Sequence, residues 1–158
     1  MSASIRTAIV EDDDELRELI RRRLERSGDM QVVRTFSSGD DFLDTMDSLD
    51  LHVVLMDINM PGRNGIETVR AAKQRKPGVQ YLMLTIFENP AYIFDALCAG
   101  ATGYLLKSTP SEELLDAMRD IHRGGSPMNS AIARMVVNSL QKETQQRIND
   151  DQLSEREK

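Results

Sequence analysis

The sequence predicts an α/β fold, a parallel sheet with helices packed on both faces. Three observations predict it. Strand-like apolar runs alternate with helix-like amphipathic segments five times in series. The run over 51–56 is apolar except for His52, as a strand covered on both faces requires. Asp57 closes that run and is followed by Ile58-Asn59-Met60-Pro61-Gly62, so a Pro-Gly turn leaves a carboxylate at the mouth of the sheet. Open α/β sheets bind their ligands there, just beyond the carboxyl ends of the strands.

The first strand falls over 5–10, and Ile9-Val10 runs directly into Glu11-Asp12-Asp13-Asp14. A helix follows over 14–26. Its Leu16, Leu19, Ile20 and Leu24 recur at i, i+3, i+4 and i+8, with Asp13 or Asp14 placed as N-cap. The basic residues Arg17, Arg21, Arg22, Arg23 and Arg26 read first as the solvated face of that helix. A second strand over 31–35 leads to a helix over 39–48. The third strand is followed by a helix over 65–75, and a fourth strand over 80–85 ends on Thr85. Asn89-Pro90 opens a helix over 90–99, with proline suited to a first turn. The fifth strand, over 103–106, is followed at once by Lys107, and Pro110-Ser111 opens a helix over 111–122.

Cys98 lies in an apolar helical pattern and is expected to be a buried thiol. Met46, Met83, Met118 and Met135 occupy core-like positions. Neither His52 nor His122 has a second ligand at metal spacing, so structural roles are expected for both. After Gly124-Gly125-Ser126-Pro127 one more helix is expected over 130–147, carrying Ile132, Met135, Val136 and Leu140 on one side. Asn149-Asp150-Asp151-Gln152 reads as its break. Leu153-Ser154-Glu155-Arg156-Glu157-Lys158 then reads as the start of another helix, with Ser154 capping and Glu157 at the box position.

At 158 residues the chain is one domain plus an appendage. A net charge of −6 argues against nucleic acid as its direct partner. One cysteine excludes an internal disulfide and any multi-cysteine zinc site. No stretch has the length of a membrane span and the amino terminus lacks a secretory pattern, so no membrane is expected and the localisation is expected to be cytoplasmic.

The strand ends carry the chemistry. Side by side, the first and third strands bring Glu11, Asp12 and Asp57 to one edge, where they repel one another unless a cation sits among them. A hard divalent ion such as Mg²⁺ suits such a set, since it takes one or two carboxylates and phosphate oxygens. Lys107 and Thr85 end neighbouring strands and add an ammonium and a hydroxyl. Taken singly, these are ordinary caps, turn residues and exposed lysines. Together they make a phosphoryl-transfer constellation, in which positioning and charge neutralisation do most of the work and an aspartate carries the phosphoryl group.

The succession Val10-Glu11-Asp12-Asp13, Leu55-Met56-Asp57-Ile58-Asn59-Met60-Pro61-Gly62-Arg63-Asn64-Gly65, Leu84-Thr85 and Gly103-Tyr104-Leu105-Leu106-Lys107 resembles the receiver domains of two-component response regulators. The Gly103-to-Lys107 run, the Gly124-to-Pro127 link and the terminal Leu-Ser-Glu-Arg-Glu resemble the NarL/FixJ-type subfamily. The resemblance implies a flavodoxin-like (βα)₅ sheet of strand order 2-1-3-4-5 with a C-terminal linker helix. It implies a receiver over 1–125, a linker with a helix over 126–150, and at 151–158 the start of a truncated LuxR-type helix-turn-helix domain. DNA would be bound only through that missing portion.

The resemblance further implies that Asp57 accepts a phosphoryl group from a sensor histidine kinase. Glu11, Asp12, Asp57 and the Asn59 backbone carbonyl would hold Mg²⁺. Thr85 and Lys107 would bind the phosphoryl oxygens, and Tyr104 would switch inward with Thr85. Asn59 and Phe87 would flank the hydrolytic water, and bulky Phe87 is expected to obstruct it. The outcome would be a homodimer formed on phosphorylation, through the surface over 86–123 or through the 130–147 helix. The chain would be a phosphoacceptor with slow self-dephosphorylation rather than a turnover enzyme. An aspartyl phosphatase needs a second acid where Asn59 stands, and an amide is no general acid. A nucleotide-binding domain fails for want of GxGxxG or GxxxxGK[ST] after any strand. A phosphorylation-independent interaction or dimerisation module stays open as the alternative.

Overall fold

A computed structural model of the chain describes residues 4–86 and 89–156, with side chains described as far as residue 152. Five strands and six helices follow one another as β1 (Ile5–Val10), α1 (Asp14–Arg26), β2 (Met30–Phe36), α2 (Gly39–Thr45) with a 3₁₀ turn at Met46–Ser48, β3 (Val53–Asp57), α3 (Gly65–Arg75), β4 (Gln80–Thr85), α4 (Pro90–Ala99), β5 (Gly103–Leu106), α5 (Ser111–His122) and α6 (Ser130–Arg156). The strands are all parallel and lie in the order β2-β1-β3-β4-β5. This is the flavodoxin-like order, and the reversal of strand order between β1 and β3 opens the crevice in which such folds bind ligands.

Two apolar layers hold the sheet. Ile9, Leu55, Leu82 and Leu105 pack one face against Ile20 and Leu24 of α1 and Met118 and Ile121 of α5. Val10, Val54, Met56 and Met83 pack the other against Phe42, Ile66, Val69, Ile93 and Ala96 of α2, α3 and α4. The alternation of side chains along each strand therefore feeds both layers, which is why β3 is buried at all five positions.

Local chemistry sets most boundaries. Asp13 caps α1 by accepting from the N–H groups of Glu15 and Leu16, Ser38 caps α2, Asn64 caps α3, and Asn89 with Pro90 opens α4. Two apolar positions lie at the surface, and for Cys98 this overturns the expected burial. Leu19 is 46 % exposed, because α1 turns Ile20 and Leu24 onto the sheet. Cys98 is exposed, because α4 buries Ile93, Ala96 and Ala99 and position 98 lies off that stripe.

The expected break near 149–152 is also absent: α6 runs unbroken from Ser130 to Arg156. The polar residues there bond along the helix instead of leaving it, Gln145 to Asn149 at 3.1 Å and Gln146 to Asp150 at 3.2 Å. The start of α6 is tied to the sheet. Tyr104 N donates to Pro127 O at 3.0 Å, Leu106 N donates to Asn129 Oδ1 at 2.9 Å, and Ile132 is fully buried in the α4 layer. Its later turns carry Val137, Leu140 and Ile148 exposed.

Candidate functional site

The strand register collects the acids. Val10 lies opposite Met56, so Glu11 and Asp57 leave adjacent strands at the same level. Asp57 lies opposite Leu84 and Thr85 opposite Leu106, which puts Thr85 one step and Lys107 two steps further along the same edge. Glu11 and Asp57 are each only 2 % exposed, Thr85 is fully buried, and Asp12 is exposed. One carboxylate oxygen from each of Glu11, Asp12 and Asp57 falls within 4.8 Å of the others.

Lys107 is the cation of this cluster. Its Nζ lies 2.7 Å from Glu11 Oε1 and 3.3 Å from Asp57 Oδ1. One ammonium faces two nearly buried carboxylates, so charge is left over. Burial, and then the facing Glu11 carboxylate, push the Asp57 carboxyl well above the ordinary carboxylate range. Burial alone would lower the Lys107 ammonium, but the Glu11 and Asp57 carboxylates outweigh it and hold it above its ordinary value. Among the described residues, Glu11 Oε2 and Asp57 Oδ2 accept no hydrogen bond although both are buried. Buried polar atoms are nearly always satisfied, and two orphaned carboxylate oxygens in one pocket fit a hard, oxygen-seeking cation. Glu11, Asp12 and Asp57 are the side chains that would hold it.

The surrounding loops are built around Asp57. Asn59 N donates to Asp57 Oδ1 at 3.3 Å, while the Asn59 residue itself is exposed at the rim. Gly65 N donates to Ile58 O at 2.8 Å, and a Cβ added at Gly65 would come within 2.1 Å of the Asp57 carbonyl oxygen. Only glycine lets the start of α3 approach the strand end so closely. Thr85 O accepts from Lys107 N at 2.7 Å, which couples the ends of β4 and β5. Tyr104 already lies inside, fully buried in the layer that holds Ile132. Phe87 lies outside the described residues.

The remaining candidates are elsewhere. His52 and His122 meet at the opposite edge of the sheet with ring centroids 4.7 Å apart and planes tilted by 51°, and His52 Nδ1 accepts from Arg6 N at 2.9 Å. Arg17, expected on the solvated face of α1, instead donates to the Glu11 carbonyl at 2.8 Å and to Asp14 Oδ1 at 2.5 Å. The signal available for it was the i, i+3 spacing from Asp14. For Gly65 it was a glycine at a helix start just past the Pro-Gly turn.

Residues 7–119 match the family model described as the response regulator receiver domain. The chain belongs to the response regulator receiver family. It is 32 % identical over 148 residues to the transcriptional regulatory protein DegU of Brevibacillus brevis, covering 94 % of this chain and 61 % of that protein. It is 29 % identical over 132 residues to the nitrate/nitrite response regulator NarL of Escherichia coli, covering 84 % of this chain and 61 % of that protein. The chain thus spans a little under two thirds of these relatives. A crystal structure of a LuxR-family two-component response regulator from an Aurantimonas species superposes with a TM-score of 0.82 at 29 % identity, covering 87 % of this chain and 98 % of that one. The isolated receiver domain of RcsB from Salmonella enterica, solved with phosphomimetic BeF₃⁻, superposes with a TM-score of 0.76 at 25 % identity, covering 84 % and 98 %. Its relatives include transcriptional and response regulators of the NarL and LuxR type, and the receiver domain is the part of them that this chain matches. Among the described residues no helix is long and apolar enough to cross a membrane.

Proposed function

We propose that this receiver accepts a phosphoryl group on Asp57 from the phosphohistidine of a sensor histidine kinase, in a Mg²⁺-dependent reaction. The observation that carries the proposal is the pocket with two buried, unsatisfied carboxylate oxygens beside a single lysine. Asp57 supplies the attacking oxygen. Lys107 is near enough to move from the Asp57 carboxylate to an incoming phosphoryl oxygen, and Thr85 ends the adjacent strand. Glu11, Asp12, Asp57 and the Asn59 carbonyl would hold Mg²⁺, which would offset charge on the carboxylates and phosphoryl oxygens.

The readout is a redistribution between two arrangements of the β4 and β5 ends, with Thr85 and Tyr104 as the moving pair. Phosphorylation shifts it only by its differential affinity for the two. The Leu106–Asn129 bond supports α6 as the route outward, because a shift at Lys107 pulls on the strand that anchors the helix. Residues 1–125 act as the receiver, and the continuous helix α6 acts as the linker toward a LuxR-type DNA-binding output domain in the cytoplasm. Homodimerisation on phosphorylation is the expected consequence, and the RcsB dimers solved on DNA support such an output. Self-dephosphorylation is slow, with Asn59 and Phe87 controlling water; Phe87→Ala should accelerate it.

Intact-mass spectrometry after incubation with Mg²⁺ and acetyl phosphate tests the reading. The wild type should gain one phosphoryl group, lose that gain in EDTA, and show none in Asp57→Ala. A wild type that stays unmodified with acetyl phosphate and also fails to bind beryllofluoride would instead make it a phosphorylation-independent interaction module.

A further inference from the structure

The loop that joins β1 to α1, together with the first residue of α1, carries four consecutive acids, and the structure gives each a different task. Asp13 is spent on the helix, its Oδ1 accepting from Glu15 N at 3.0 Å and Leu16 N at 3.1 Å. Asp14 is spent on Arg17, at 2.5 Å. Glu11 is fixed through its backbone at both ends: its N–H donates to Phe36 O at 3.0 Å, and its carbonyl accepts from Arg17 Nη1 at 2.8 Å. That leaves Asp12 exposed and Glu11 Oε2 unsatisfied, both within the three-carboxylate cluster.

Arg17 therefore bridges the first residue of the loop to the first residue of α1. Its side chain is only 19 % exposed, unusually withdrawn for an arginine on an amphipathic helix. The planar guanidinium spans two acceptors at a fixed separation, which a lysine cannot do. The peptide that Arg17 holds is the one joining Glu11 to Asp12, so its orientation decides where both carboxylates point.

We propose that Arg17 is a positioning residue for the divalent-cation site, holding the Glu11–Asp12 peptide so that both side chains converge with Asp57. The proposal rests on the reading that these three acids bind a divalent ion. Groups that orient metal ligands from behind are typically worth ten- to a hundredfold in affinity. Charge alone predicts the opposite sign. Arg17 is a cation close to the site, and removing it leaves more negative charge there, which attracts a divalent ion more strongly. The direction of the change separates positioning from electrostatics.

The experiment is Mn²⁺ binding to the 158-residue chain, followed by the loss of the free-ion electron paramagnetic resonance signal, with circular dichroism to establish folding. Arg17→Ala should bind Mn²⁺ about tenfold more weakly than the wild type. Arg17→Lys, which keeps the charge but loses the fork, should also bind more weakly, by a smaller factor. Equal or tighter binding in folded Arg17→Ala overturns the proposal. Should that variant fail to fold, wild-type affinity in Arg17→Lys overturns it instead. A wild type that binds no Mn²⁺ refutes the cation site itself, and the Arg17 role with it.

Discussion

At the amino edge of the sheet, charged groups near the strand starts meet partners close to solvent. Arg6 pairs with Asp50 at 2.9 Å, and Arg119 grips Asp29 at 2.7 Å while Ser27 donates to the same carboxylate. The Arg119 guanidinium, more than any other neighbour, holds the Asp29 carboxyl down at about 2. Burial first, then the Arg6 charge, hold the His52 imidazole below its ordinary value. At the carboxyl edge the count does not balance. Glu11 and Asp57 share one lysine, and each retains a buried oxygen with no donor among the described residues. The same chain thus satisfies its charges where only folding is at stake and leaves them frustrated where a ligand is expected. A fold optimised only for stability would not retain the second arrangement.

The largest effect should come from breaking the backbone geometry of the frustrated edge. Gly65→Ala forces a methyl against the Asp57 carbonyl, where only backbone can yield, and should cost about 3 kcal/mol in urea unfolding. A cost under about 1 kcal/mol would mean that α3 is free to shift. Lys107→Met comes next. It strands two carboxylates with no cation, and should destabilise the metal-free protein by about 2 kcal/mol, less than for a fully buried pair because the ammonium still touches water.

Asp57→Asn sharpens the comparison by going the other way. It relieves the repulsion, and the metal-free protein should gain about 1 kcal/mol. The pH dependence carries the same sign. The folded Asp57 carboxyl titrates above its unfolded value, so the folded state holds the extra proton. That contribution is complete below the ordinary carboxylate range and is lost as pH rises through the raised value. Metal-free wild type should therefore lose stability from about pH 5 to about pH 8, and Asp57→Asn should flatten that slope. An identical slope in both proteins would remove Asp57 as its source. His52 works in reverse, since a lowered imidazole costs stability as pH falls below its unfolded value. The smallest effect belongs to the amino edge. Arg119→Ala breaks a solvent-screened pair and should cost about 0.5 kcal/mol, with no change in Mg²⁺-dependent phosphoryl uptake.

Much of this was legible in the chain. Strand-ending acids, a Pro-Gly turn and a lysine after a four-residue strand are local patterns, and period and turn chemistry read them directly. All five βα units fall close to where the periodicity puts them. The acids at the ends of β1 and β3 meet as expected, because parallel pairing in register leaves them little choice. What local pattern could not supply was partner choice. Lys107 sits closer to Glu11, 96 residues away, than to Asp57, and nothing near it in sequence says so. Arg17 looked like one more solvated arginine until the loop it closes was folded against it. Cys98 fits an apolar pattern, yet which stripe of α4 faces the sheet depends on the helix rotation.

The carboxyl end of the chain divides in the same way. Apolar spacing foretold a helix after Pro127, but a run of Asn, Asp and Gln is ambiguous, since those side chains bond equally well to a turn or to a neighbour one helical turn away. The sequence by itself determined the succession of elements and the identity of the acids, because spacing and turn residues act over a few positions. Only the tertiary structure decided which charge faces which, that Tyr104 lies inside, and that α6 is anchored through Asn129. Each depends on segments far apart in the chain arriving at one register, and that is a property of the packed sheet rather than of any stretch of residues.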